Sequence, residues 1–139
     1  MEKFYTWETL MERHTTDPLS ILVIDDDPFT QELTKAMLKK APNTQLFQAF
    51  NAQEGLDTML THSIDLLLLD FYMPHINGRE FLKILRRHET LAETPVVLIT
   101  TDRITREEVQ QLGVKSCIHK PFDFQNFVQQ VLENVQVSD

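Results

Sequence analysis

The chain has 139 residues, enough for one domain with a single well-buried core and too few for two. Its composition (42% hydrophobic, 24% charged) is that of an ordinary globular protein, and no apolar run is long enough to span a membrane. A net charge of −8 argues against a nucleic-acid surface, which needs clustered Lys and Arg. The lone Cys117 cannot close an internal disulfide, and the first residues lack the basic-then-apolar pattern of a signal peptide; both fit the cytoplasm.

Residues 1–19 read as a separate N-terminal arm. Phe4, Trp7, Met11 and His14 would line one side of a short helix, with Asp17-Pro18 as the break after it. Two readings stay open: a frayed terminus, or a docking or dimer arm whose exposed Trp and Phe find cover. Residues 20–139 alternate apolar runs with amphipathic segments, as repeated βα units do. Strands are expected at Ile21–Ile24, Gln45–Phe50, Leu66–Leu69, Val96–Ile99 and Ser116–His119. Helices are expected at Pro28–Lys40, Ala52–Thr61, Gly78–His88, Thr105–Leu112 and Asp123–Val135. The fifth has the cleanest apolar stripe, through Phe124, Phe127, Val128, Val131, Leu132 and Val135, and the fourth the most ragged.

The chemistry gathers where the strands end. Right-handed crossovers bring the carboxyl ends of parallel strands to one edge, where ligands of such sheets bind. The first strand runs into Asp25-Asp26-Asp27, the third into Asp70, the fourth into Thr100-Thr101 and the fifth into Lys120. Asp70 closes a wholly apolar run, a costly place for a carboxylate without a task. Crowded carboxylates repel, so one takes up a proton or a cation joins them. Mg²⁺ suits hard oxygen ligands and phosphate, Lys120 supplies a mobile positive charge, and Thr100 supplies a hydroxyl. Asp70 would then be a nucleophile toward phosphorus. Asp27 reads as a helix cap instead, and the five His residues share no metal-ligand spacing.

From about Ser20 to Val135 the chain resembles the response-regulator receiver domain of bacterial two-component signalling, of the chemotaxis-type single-domain kind. The resemblance rests on Ile21-Leu22-Val23-Ile24-Asp25-Asp26-Asp27, on Asp70-Phe71-Tyr72-Met73-Pro74 with Gly78, on Ile99-Thr100, and on Lys120-Pro121-Phe122. It implies an α/β, flavodoxin-like, doubly wound sheet of five parallel strands in order 2-1-3-4-5 with five helices. Asp70 would accept a phosphoryl group from a histidine kinase or histidine phosphotransfer protein. Asp26 would bind Mg²⁺ directly and Asp25 mainly through water, with Asp70 and the Tyr72 backbone carbonyl completing the protein ligands. Thr100 would hydrogen-bond the phosphoryl group, Lys120 would ion-pair with it, and the Lys120-Pro121 bond would be cis.

The resemblance implies a signalling phosphoacceptor that would assist its own phosphorylation and dephosphorylation, not an enzyme with an outside substrate. Tyr72 and Asp102 would flank the water that hydrolyses the acyl phosphate, with bulky Tyr72 lengthening its life, and Thr101 would narrow access for donors. Cys117 departs from the pattern, because the family usually places an aromatic switch residue three before the lysine. The chain ends soon after the fifth helix, so signalling is expected through a downstream protein target, without nucleic acid or membrane and with homodimerisation open. A haloacid-dehalogenase-like enzyme fits poorly, since Asp25-Asp26-Asp27-Pro28-Phe29-Thr30 brings its Thr one place too late. The alternative is a pseudo-receiver scaffold that binds without phosphorylation, though the residues such proteins lose are all present.

Overall fold

The computed structural model describes residues 2–4, 18–41, 43–101, 103–120, 127–133 and 136–138. In chain order the elements are β1 (Glu2–Phe4), β2 (Leu19–Ile24), α1 (Pro28–Leu38), β3 (Thr44–Ala49), α2 (Ala52–Thr61), β4 (Leu66–Asp70) and α3 (Gly78–Arg87). They continue with β5 (Val96–Thr100), α4 (Arg106–Leu112), β6 (Ser116–His119), α5 (Phe127–Leu132) and β7 (Gln136–Ser138). Five parallel strands form the main sheet in order β3-β2-β4-β5-β6, which is 2-1-3-4-5 among those strands alone. The expected architecture holds, with element ends shifted by a residue or two, except in the fifth helix. Only Phe127–Leu132 of it is described, and residues 121–126 and 134–135 lie outside the described set. No helix among the described residues is long and apolar enough to cross a membrane.

Strand alternation divides the core into two layers. Ile21, Val23, Leu66, Leu68, Val97 and Ile99 pack on one face against Met37 and Leu38 of α1 and Phe127 and Val131 of α5. Leu22, Ile24, Leu67, Leu69, Val96 and Leu98 pack on the other against Met59 of α2 and Phe81, Leu82 and Leu85 of α3. With both faces covered, β4 and β5 are buried at every position, which is why their sequences run apolar without alternation.

The helices start where the sequence supplies caps. The side chains of Asp27, Asn51, Asn77 and Thr105 accept backbone N–H groups at the heads of α1, α2, α3 and α4. Asp27 thus acts as the cap expected of it, and Thr30 Oγ1 also donates to its carboxylate at 2.7 Å. The bond from Thr30 holds the Asp27 carboxyl below its ordinary range. α4 buries no residue completely, as its ragged stripe suggested, and it ends at Gly113 in the left-handed conformation (φ 70°). Arg86 on α3 tethers that end, donating to the carbonyls of Gly113, Ala92 and Thr94 at 2.8, 2.7 and 3.0 Å.

At the chain ends the structure differs from the reading of the arm. Glu2–Phe4 is a strand, not part of a helix, and pairs antiparallel with Gln136–Ser138. Trp7, Met11 and His14 lie outside the described residues.

Candidate functional site

Strand register assembles the site. Ile24 pairs with Leu69, so the next residue of each strand, Asp25 and Asp70, reach the same level of the sheet edge. Asp70 pairs with Ile99, and Thr100 follows one step further along β5. Thr100 pairs with His119, and Lys120 continues from there, its N–H bonded to the Thr100 carbonyl at 2.8 Å. Four stretches far apart in sequence therefore end in one place because their strands are parallel and in step.

The side chains converge there as well. Carboxylate oxygens of Asp25, Asp26 and Asp70 lie within 4.8 Å of one another. Asp25 is wholly buried, Asp70 nearly so, and Asp26 is exposed. Lys120 Nζ lies 3.0 Å from Asp25 Oδ2 and 3.9 Å from Asp70 Oδ2, so one ammonium is shared between two buried carboxylates. The other Asp25 oxygen accepts the Asp27 N–H at 2.9 Å. Tyr72 N–H lies 3.3 Å from Asp70 Oδ1. Burial first, and the charge of Asp25 second, push the Asp70 carboxyl up to about 7 from 3.8, with Lys120 pulling the other way. One ammonium does not offset two buried carboxylates, and the cluster has the electrostatics of a cation site.

The loops shape the mouth of this pocket. Gly78 opens α3 against the loop that leaves Asp70: a Cβ there would come 2.8 Å from the Phe71 Cα, so the close approach requires glycine. Tyr72 projects outward and is 54% exposed, its ring edge-on to Phe71 with centroids 5.1 Å apart. Thr101 is exposed, as is His75, which sits in the left-handed region (φ 71°). Asp102, Pro121 and Phe122 lie outside the described residues, and the expected cis bond with them. Cys117 is half-buried on the α2–α4 face of the sheet, and burial pushes its thiol up, which disfavours the reactive thiolate.

Two residues of the site went unread in the sequence. Gln31 on α1 is 1% exposed and its amide lies behind Asp25, bonded to the carbonyls of Asp25 and Ala49 at 3.0 and 2.8 Å. Gln48 on β3 donates to Gln31 Oε1 at 2.9 Å. The available signal was positional: Gln31 shares the inward stripe of α1 with Thr34 and Leu38, where a polar residue needs a partner.

The model of the response regulator receiver domain family matches residues 21–132. The chain belongs to the response-regulator receiver family. Receivers are signalling phosphoacceptors of two-component systems, and this receiver shares 33% identity with the response regulator Rre1 of Synechocystis sp. over 77% of its own length and 47% of the relative's. It is likewise 33% identical to the transcriptional regulatory protein MalR of Bacillus subtilis, over 78% of this chain and 47% of that one. The chain thus spans about half the length of the curated relatives it matches. Among solved structures it resembles the N-terminal domain of a response regulator receiver protein from Methanoculleus marisnigri (TM-score 0.69, 27% identity, covering 81% and 92% of the two chains). It shares its fold with the Vibrio cholerae chemotaxis protein CheY4 (TM-score 0.73, 24% identity, covering 83% and 99%). None of these likenesses favours the pseudo-receiver reading.

Proposed function

We propose that this receiver is phosphorylated on Asp70 in a Mg²⁺-dependent reaction, with a histidine kinase or histidine phosphotransfer protein as donor, and signals by phosphorylation-dependent binding to another protein. The shared ammonium supports it best: Lys120 reaches both Asp25 and Asp70 from the one strand end where a phosphoryl oxygen on Asp70 would lie. The donors beside it fit the ion, since Asp25, Asp26 and Asp70 offer only hard carboxylate oxygens. Both Asp25 oxygens already accept hydrogen bonds, which suits a ligand acting through water, whereas exposed Asp26 suits direct contact. Asp70 and the Tyr72 carbonyl complete the assigned ligands. Mg²⁺, when bound, supplies positive charge opposite the transferring phosphoryl group.

The protein's own residues do the rest. Asp70, ionised, attacks phosphorus, and the donor histidine leaves with the electron pair of the broken P–N bond. Lys120 swings its ammonium from Asp25 toward the phosphoryl oxygens, and Thr100, buried at the end of β5, donates its hydroxyl to them. Tyr72 flanks the path of hydrolytic water, its exposed ring a shield, and Asp102, outside the described residues, takes a role there from the family resemblance alone. Thr101 stands at the donor's entrance. New contacts to Thr100 and Lys120 bias α4, which buries no residue completely, and Cys117 leaves that motion without the usual aromatic. Residues 20–139 form the receiver in this reading, and residues 1–19 an arm.

Incubation with a phosphoramidate donor and Mg²⁺, read by intact mass, tests it. One added phosphoryl group on the wild type, absent from Asp70→Asn and absent in EDTA, is expected. Label that survives Asp70→Asn or EDTA contradicts it.

A further inference from the structure

Gln31 is a polar side chain in the core of the domain, buried as fully as its apolar neighbours. Such a group costs stability unless each donor and acceptor is matched. Its Nε2 lies 3.0 Å from the Asp25 carbonyl, 2.8 Å from the Ala49 carbonyl and 3.4 Å from the Val23 carbonyl, and its Oε1 accepts from Gln48 Nε2. The amide orientation is therefore fixed: turned over, Oε1 would face carbonyls. Gln48 Nε2 also donates to the Gln31 carbonyl at 2.9 Å, so the pair is locked at side chain and backbone.

The pair sits where β2 gives way to the acidic loop. Asp25 N–H already bonds the Ala49 carbonyl at 3.1 Å, and Gln31 takes the Asp25 carbonyl on the other side of the residue. Asp25 is thereby held at N–H, carbonyl and both carboxylate oxygens. The next residue, Asp26, is exposed and follows directly on that fixed backbone, which sets its place relative to Asp70.

We propose that Gln31 is a positioning residue for the metal-binding edge: its amide, oriented by Gln48, fixes the Asp25 backbone and so sets the affinity of the Asp25–Asp26 pair for a divalent cation. The proposal rests on the reading of these carboxylates as a cation site. Partners behind a metal ligand are worth about 10–100-fold in affinity when removed. Gln31→Met keeps length and volume but strips the hydrogen bonds, and Gln48→Leu leaves the amide in place while removing the donor to its Oε1 and to the Gln31 carbonyl.

The test is Mg²⁺ calorimetry on the full chain, with thermal melts alongside. Gln31→Met should weaken Mg²⁺ binding about tenfold or more, and Gln48→Leu should weaken it by a smaller factor. Thr34→Val is the control, because Thr34, three residues beyond Gln31 on α1, is equally buried but donates to the Thr30 carbonyl one turn back. It should lower the melting temperature and leave Mg²⁺ affinity unchanged. In phosphorylation assays the Mg²⁺ concentration for half-maximal rate should rise in Gln31→Met, with the rate at saturating Mg²⁺ within about twofold of wild type. Gln31→Met and Gln48→Leu melting lower yet binding Mg²⁺ like wild type would overturn the proposal. If Gln31→Met does not fold, wild-type affinity in Gln48→Leu alone overturns it. A wild type that binds Mg²⁺ but takes no phosphoryl group would sink the phosphoacceptor reading, and the affinity ratios would still decide the role of Gln31. A wild type that binds no Mg²⁺ overturns both.

Discussion

Asp70→Asn should stabilise the domain at neutral pH when divalent cations are absent. Burial, reinforced by the charge of Asp25, raises the Asp70 carboxyl to about 7 from 3.8, and Lys120 opposes the rise from 3.9 Å. Between about pH 4 and 7 the folded state keeps a proton that the unfolded chain has released. Stability therefore falls as pH rises through that window and levels off above it. Each pH unit is worth about 1.4 kcal/mol, which sets a ceiling of about 4 kcal/mol at pH 8. Lys120 is partly exposed and solvent reaches the pocket mouth, so screening brings the expected cost to about 2 kcal/mol. Asparagine keeps the shape and removes the charge. The variant should exceed wild type by only about 0.5 kcal/mol near pH 4.5 and by about 2 kcal/mol at pH 8, or about 7 °C in melting temperature for a domain of this size. Urea and thermal melts across that range in EDTA provide the assay. Mg²⁺ should narrow the gap by stabilising wild type alone. A variant no more stable than wild type at pH 8, or one offset equally at every pH, would refute the reasoning.

Three further substitutions probe other parts of the account. Lys120→Met should cut phosphoryl uptake by roughly 100-fold or more, as loss of a charge-stabilising donor does, while Mg²⁺ binding by calorimetry is undiminished because a competing cation has gone. Gly78→Ala would set a Cβ against the Phe71 backbone, 2.8 Å from Cα and 3.0 Å from the carbonyl oxygen, and should cost about 1–3 kcal/mol in denaturant melts. Arg86→Ala removes donors to three carbonyls and should cost about 2–3 kcal/mol, with faster amide exchange across Arg106–Leu112 as its signature.

Much of this was legible in the residues. Leu66–Leu69 and Val96–Ile99 read as buried strands because their apolar runs are unbroken, and Asp70 stood out as the one charge at such a run's end. Asp27 read as a cap from its place before Pro28. What stayed hidden depended on long-range geometry. Nothing local in Gln31 says that three carbonyls wait behind it, or that Gln48, seventeen residues on, completes its amide. The pairing of Glu2–Phe4 with Gln136–Ser138 could not be read either, since three residues are too few for a period of two to show. Nothing in the sequence sets Arg86 apart from the other cations of α3, and its work as a tether follows only from where α4 ends.

The most direct test is to locate the phosphoryl group chemically. Borohydride reduces an aspartyl phosphate to homoserine, so peptide mapping after phosphorylation and reduction reports the acceptor by residue. Homoserine at position 70, and at no other aspartate, is the predicted result. Homoserine at Asp25 or Asp26, or phosphorylated protein with residue 70 unchanged, would contradict it.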